Sequence, residues 1–373
     1  MKRLLCLLLV LSLMLVGCGK KSAEVEPTAA PTAAPTEAPT EAPTEAPTEA
    51  PTEAPTEPEP TEPPAPHNPL TGEPLEEYYT GRPVMFSLNN ISACLPQHGL
   101  SEVDWLFEME TEGGITRCLG VMTDPSTADK VGPIRSARSY FLNVSLSYNA
   151  PLFHCGGSAF ALAGMYSFTE SIDPDTWEHV NQMTNGSKYF YRDSRGGGYA
   201  FEHTLFTSGE RMAQAMEDLG YNPEGNDPVS YGYQFAEEIA MDGQPANEID
   251  MIFRYGKRTT MEYDEEIGLY KAYQYGGNWV DGATGENATF RNVLMVFAPQ
   301  STGDTCPNSF YELSGSGDGY LAIDGKYIPI KWHHDGIDGP FRFTLADGTT
   351  PITLGIGTTY CAIADTSGRF EAE

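Results

Sequence analysis

The sequence predicts an α/β N-terminal domain followed by a β-rich C-terminal domain, with a disordered Pro/Thr/Glu tether before both. Three observations carry this. Strand-like and helix-like runs are mixed between Arg82 and Gly220, strand-like runs alone follow Asn247, and a four-residue proline repeat fills Gly19 to Pro66. The chain has 373 residues and a formal net charge of −30, which repels nucleic acid and anionic lipid headgroups and sets them aside as direct partners.

Lys2 and Arg3 precede an apolar run from Leu4 to Val16 in which Ser12 is the one polar residue. A membrane-spanning helix needs about 20 residues, so this shorter run reads as a secretory signal over 1–17. It ends in Leu15, Val16, Gly17, Cys18, which resembles the bacterial lipobox. That resemblance implies that Cys18 is diacylated and becomes the new N-terminus, anchoring the protein to the membrane with its body on the extracytoplasmic side. The rest of the chain holds no apolar stretch long enough to span a bilayer, so lipid is the expected anchor.

From Gly19 to Pro66 there are thirteen prolines, nine threonines and ten glutamates. Proline at every fourth position blocks helix, like charges favour extension, and nothing there can bury a core. Residues 18–66 therefore read as a lipidated N-terminus and tether. It would reach about 150 Å as polyproline II and about 40 Å as a coil.

The remaining residues divide into 67–225 and 245–373, with a Gly/Pro/Asn/Asp-rich boundary from Tyr221 to Asn247. They hold 18 basic and 42 acidic residues, a charge of −24. In the first part, Pro83–Leu88, Trp105–Met109, Cys118–Met122 and Pro151–Cys155 read as short buried strands. Ala137, Tyr140, Phe141, Val144 and Tyr148 fall at helical spacing. A second helix is marked by a Thr207/Glu210 capping box, a Met212, Met216, Leu219 stripe and a stop at Gly220. In the second part nine strands are expected between Ile249 and Ala364, with Asp324-Gly325 and Asp347-Gly348 as hairpin turns. Cys94, Cys118, Cys155, Cys306 and Cys361 are odd in number, and three lie in apolar runs, so a disulfide framework is not expected. No CxxC, HExxH, GxSxG, SxxK or GxxxxGK occurs, and neither a metal nor a cofactor is expected.

Three stretches collect the polar residues of the first part. EMETEGGITR (Glu108 to Arg117) reads as strand, glycine turn, strand, with Glu108, Glu110 and Glu112 on one face. GPIRSAR (Gly132 to Arg138) reads as the entry of the Tyr140 helix, with Arg135 and Arg138 on one side of its first turn, a suitable seat for an anion. HCGGS (His154 to Ser158) follows a strand, and its glycines would let backbone N–H groups approach a ligand. Ser158 reads as a helix N-cap in preference to a nucleophile served by His154 or His203. His333 and His334 beside Asp335 and Asp338 read as an exposed turn in preference to a metal site, because adjacent strand residues point to opposite faces. Tyr270, Tyr273, Tyr275 and Trp279 read as core and hairpin pairs more than as an interface.

Several runs together carry a specific resemblance: NPLTGEP (Asn68 to Pro74), RPVMFSLNN, PQHGLSEVDWLFE, EGGITR, VGPIRSARSYF and HCGGS, then YDEEIGLYKAY, DGATGENATFRNVLMVFA and KWHHDGIDGPFRF. The chain resembles the YerB-like bacterial lipoproteins, a two-domain family without an agreed biochemical activity, and the match covers nearly everything after the tether. Leu95, Asn89 and HTLFTS (His203 to Ser208) depart from that pattern, where the family has an arginine, an aspartate and an HNLYTS-like run. Glu112, Arg117, Arg135, Arg138 and His154 remain in place. The expected function is binding of an anionic or glycan component of the cell envelope. Arg117, Arg135, Arg138, Gly156, Gly157 and Ser158 would then bind, with Glu112, His154 and His203 as candidate general bases. The alternatives are an envelope hydrolase or transferase using the same cluster, a structural module that engages another envelope protein, and an ion-pair network that merely locks the fold.

Overall fold

The computed structural model describes residues 65–166, 170–221, 229–302, 308–337 and 339–373. The expected signal, the expected lipid anchor Cys18, nearly all of the expected tether, Cys306 and Asp338 lie outside them. Within them no helix is long and apolar enough to cross a membrane.

A mixed sheet organises the described residues. From one edge to the other its strands are Arg342–Leu345, Lys326–His334, Gly315–Ile323, Asn292–Phe297, Thr359–Ala364, Trp105–Glu110, Thr116–Met122, Val84–Asn90, Leu152–His154 and His179–Asn181, with Gln244–Pro245 added beside Lys326–His334. The two parts expected from sequence thus share one sheet. Thr359–Ala364 joins them, pairing parallel with Asn292–Phe297 on one side and with Trp105–Glu110 on the other. Each of its six residues is buried. That explains its unbroken TYCAIA run, since a strand covered on both faces needs no polar alternation.

Opposite faces of this sheet carry separate apolar clusters. One holds Met85, Trp105, Phe107, Leu119, Cys361 and Ile363 and is covered by the Ser139–Ser147 helix through Tyr140, Phe141 and Val144. The other holds Phe86, Leu88, Leu106, Cys118, Tyr360 and Ala362. It is covered by a second, antiparallel sheet built from Leu269–Gln274, Arg258–Asp264, Glu248–Ile252 and Arg369–Ala372. Ile249, Met251, Met261, Tyr270 and Ala272 are among the side chains that this sheet turns inward.

The Asp324-Gly325 hairpin forms with φ of +52° and +69° at its two central residues, the geometry of a tight two-residue loop. The Gly209–Asp218 helix is capped one residue later than the sequence suggests. Ser208 accepts the Arg211 N–H at 3.4 Å, while the Thr207 hydroxyl donates to Tyr189 O at 2.8 Å. Cys94, Cys118, Cys155 and Cys361 are free thiols. His333 and His334 are the end of a strand and not an exposed turn. His334 is fully buried, bonded through Nε2 to Ser147 Oγ at 2.8 Å and through Nδ1 to Leu313 O at 2.6 Å. Pairing with Gly315 and Ser316 extends the strand to this point.

Candidate functional site

The Trp105–Glu110 and Thr116–Met122 strands are joined by a turn closed by the Thr111 N–H on Ile115 O at 2.7 Å. Gly113 and Gly114 take φ of +82° and +71°, which glycine adopts without a steric penalty. A Cβ on Gly114 would lie 2.9 Å from Tyr255 Cβ, so Tyr255 rests directly on this turn.

Glu108, Glu110 and Glu112 do not share one face. The strand ends at Glu110, and Glu112 leaves it for Arg138. Glu108 is fully buried. Its Oε1 accepts from Lys257 Nζ, from Thr116 Oγ1 at 2.5 Å and from Asn90 Nδ2 at 3.0 Å. Its Oε2 accepts from Thr259 Oγ1 at 2.7 Å and Tyr360 OH at 2.5 Å. Burial pushes this carboxyl's pKa up, but the Lys257 ammonium and the ring of donors outweigh burial and hold it below the usual range. Glu110 accepts the Tyr255 N–H at 3.2 Å, and burial pushes its pKa up. Glu112 takes Arg138 Nε at 2.9 and 3.1 Å and Nη2 at 2.7 Å, together with the Ser309 N–H at 3.0 Å. Burial opposes the charged form here too, yet the Arg138 guanidinium holds the carboxyl at about 2.

Arg135 and Arg138 are not on a first helical turn. The helix begins at Ser139, and Arg138 is extended at φ −125°, ψ 159°. The Arg135 N–H bonds Ser87 O at 2.8 Å and the Ala137 N–H bonds Gly156 O at 3.0 Å. Cys155 and Ser158 N–H groups in turn bond Arg135 O and Ala137 O at 3.0 and 3.1 Å. The segment's backbone is paired to neighbours on both sides in place of i→i−4 bonds, and the two guanidiniums diverge, Arg138 to Glu112 and Arg135 to Glu202.

The HCGGS turn packs against this ribbon. His154 Nδ1 lies 2.7 Å from Gly156 O, and since a carbonyl only accepts, Nδ1 carries the proton. Nε2 therefore accepts from His179 Nδ1 at 2.7 Å, and the His154, His179 and Trp177 rings stack. Burial lowers the His154 pKa to about 3. Ser158 accepts the Ala161 N–H at 3.2 Å as the cap of a short helix, Ala159–Leu162. The Gly156 N–H is held by Asn181 Oδ1 at 2.8 Å. The Gly156 and Ser158 amides are thus engaged internally, and Gly157 lies alongside Ala137.

A surplus of positive charge remains around Arg135. Arg117 is 6% exposed and donates Nη1 to Ser136 O at 2.8 Å. Among the described residues it has no carboxylate partner and its Nε has no acceptor. Burial, with Arg138 and Arg135 nearby, lowers its pKa to about 9. Arg135 Nη2 lies 3.5 Å from Glu202 Oε1, and its Nε is also without an acceptor. Arg195 donates to Pro96 O at 2.7 Å and Cys94 O at 2.9 Å, again with an unpartnered Nε. Arg192 donates to Phe201 O at 2.6 Å. His203 joins this group. Asn89 Nδ2 donates to its Nδ1 at 2.9 Å, and its Nε2 lies 3.7 Å from the same Glu202 oxygen. Arg135 and His203 thus face the half-exposed Glu202 carboxylate, with Arg117 close to Arg135 and Arg195 close to His203. The structure brings together Arg117, Arg135 and His203, ties Arg138 to Glu112, and leaves His154 in its own stack.

On the far side of the Gly113–Gly114 turn lie two adjoining grooves. One of about 480 Å³ is lined by Thr111, Glu112, Tyr255 and Ser309. The other, of about 750 Å³, runs past Tyr255 over the outer face of the second sheet, along Arg258, Thr260, Tyr273, Tyr275 and Asn278.

Comparison with known proteins places this arrangement. The descriptions "Protein of unknown function (DUF3048) N-terminal domain" and "C-terminal domain" match residues 70–222 and 249–361. The chain is 27% identical over 272 residues to "Putative lipoprotein YerB" of Bacillus subtilis (strain 168), covering 71% of this chain and 77% of that protein. The chain belongs to the YerB-like family. The crystal structure of the YerB protein from Bacillus subtilis superposes with a TM-score of 0.68 at 25% identity, over 82% of this chain and 99% of that one. In this YerB-like chain the arginine cluster lies wholly within the first matched region. The larger groove is built chiefly from the second, and Thr359–Ala364 reaches the end of that region. Arg192 and Arg195, in RDSRGGG, escaped the sequence reading because a glycine run reads as loop. The available signal was two arginines close together in a body with more than twice as many acids as bases.

Proposed function

We propose that this protein is a lipid-anchored, extracytoplasmic binding protein that seats an anionic component of the cell envelope at Arg117, Arg135 and Arg195, with His203 beside them. The observation that supports this reading is the set of three buried guanidinium Nε–H groups without acceptors. Leaving a charged donor unmet costs about 1–3 kcal/mol or more, and clustered like charges add repulsion, so an oxyanion would relieve both. The relative named as a lipoprotein, the lipobox at Cys18 and the proline tether support the anchor and the sidedness. Glu112 and His154 are poorly placed as general bases, because the carboxylate is held by Arg138 and both imidazole nitrogens are bonded. A base at either position would first have to break those bonds, which favours binding over hydrolysis.

The test is calorimetric titration of the full chain with inorganic phosphate, soluble poly(glycerol phosphate) and vesicles of anionic lipid. Binding to the soluble polymer, weakened about tenfold or more in Arg135→Ala and Arg195→Ala, supports the reading. Vesicle binding alone would reassign the anion to a headgroup. Equal binding by both variants would refute the site. Mass spectrometry of the membrane-extracted protein tests the diacylglyceryl group on Cys18.

A further inference from the structure

The larger groove sits away from the arginine cluster and has a different chemistry. On the outer face of the second sheet, Thr260, Tyr273 and Asn278 stand in one row across three strands, because Thr260 pairs with Tyr273 and Tyr273 with Asn278. Arg258 and Glu262 flank that row by strand alternation. At its head Tyr275 and Gly276 form a tight turn with φ of +53° and +77°, and the Tyr275 hydroxyl donates to Asn90 O at 2.7 Å. That bond fixes the ring against the first matched region. Tyr255 forms the opposite wall, 62% exposed, with its backbone held by Glu110. A Cβ on Gly256, Gly276 or Gly277 would meet nothing within 4 Å, so these glycines leave the groove open.

We infer that this groove binds a neutral glycan chain, with Tyr255, Tyr273 and Tyr275 as stacking surfaces and Arg258, Thr260, Glu262 and Asn278 as hydroxyl and acetamido partners. Its volume, about 750 Å³, lies in the range of ligand sites, and it continues past Tyr255 into the smaller groove, as a linear chain requires. Tyrosines supply rigid, amphipathic contact area at little entropic cost. Interleaved donors and acceptors of both signs match the hydroxyls of a pyranose better than they match an apolar ligand. Strand addition by a peptide would use the edge strand Gly277–Asn278, whereas Arg258, Thr260, Glu262 and Tyr273 lie on the sheet face. Nucleic acid is opposed by the charge of the body. The site stands apart from the anion seat and survives if that seat is refuted.

The experiment is titration of the full chain with two neutral probes, the hexamer of N-acetylglucosamine and cellohexaose. Saturable binding to at least one is expected. Tyr255→Ala and Tyr273→Ala should each weaken it about tenfold, Tyr273→Phe should retain it, and Arg135→Ala should leave it unchanged. Tyr255 and Tyr273 are partly exposed on one sheet face and its adjoining turn, and an unchanged melting curve for each variant shows that the fold survives. No saturable binding of either hexasaccharide at millimolar concentration, or equal binding by the Tyr255→Ala/Tyr273→Ala double variant, overturns the inference. So would protection of this face from hydrogen exchange by an envelope protein fraction but by neither sugar, which would give the groove to a protein partner.

Discussion

Lys257→Met probes how the two matched regions are held together. Lys257 is 8% exposed and Glu108 is fully buried, one contributed by each region, and the pair lies between the two sheets. Removing one partner of a buried ion pair costs about 3–5 kcal/mol, because the other charge is left without compensation. Here four donors remain on Glu108, from Asn90, Thr116, Thr259 and Tyr360, which places the expected loss near the lower end, about 3 kcal/mol. Replacing both partners, in Glu108→Gln/Lys257→Met, removes the unpaired charge and should recover about 2 kcal/mol of that loss. The pH dependence should also change sign. In the natural protein the Glu108 pKa is depressed, so its contribution is present above the unfolded carboxyl value of about 4.3 and is lost as pH falls. In Lys257→Met burial prevails, the pKa rises, and stability falls as pH increases through the same unfolded value. Urea unfolding at pH 3, 5 and 7 measures both effects, the natural protein losing stability below about pH 4.3 and the variant losing it above that value. A Lys257→Met loss below about 1 kcal/mol, or a double variant no more stable than the single one, would refute the assignment of this pair as the buried link.

Further expectations follow from the same contacts. Arg138→Ala should cost about 2–3 kcal/mol near pH 7. It should also flatten the acid limb of stability, because Glu112 contributes above the unfolded value of about 4.3 and loses that contribution as pH falls through about 2. Urea midpoints between pH 2 and 7 check this. Ser208→Ala removes the cap of the Gly209–Asp218 helix and should cost about 1 kcal/mol, read from the same curves. A thiol reagent should label Cys155 first among the four described cysteines, since burial raises all four thiol pKa values but Cys155 alone is half-buried and the other three are fully buried. Faster labelling of Cys361 would show that the central strand opens locally.

Much of the fold was legible because its strands obey simple patterns. The apolar runs Trp105–Met109 and Cys118–Met122 read as buried strands, and the fold holds buried strands there at Trp105–Glu110 and Thr116–Met122. What local pattern could not show was that Thr359–Ala364 inserts beside Trp105–Glu110, more than 240 residues away, since periodicity carries no pairing partner. The site was legible in part for the same reason. EGGITR and GPIRSAR marked the right neighbourhood, but the Arg135 backbone bonds to Ser87 and Cys155, distant in sequence, and these replaced the expected helical turn with an extended ribbon. His154 resembled a base by residue type alone. Only the fold shows that His179 and Gly156 hold both of its nitrogens.

The most direct measurement of the anion seat is the nitrogen–proton spectrum of the arginine Nε groups, recorded on the full chain as phosphate or soluble poly(glycerol phosphate) is added. The Nε–H signals of Arg117, Arg135 and Arg195 should shift together and saturate, while that of Arg138, bonded to Glu112, stays in place. Unmoved signals at those three positions, or shifts confined to exposed arginines such as Arg342 and Arg369, would contradict the proposed seat.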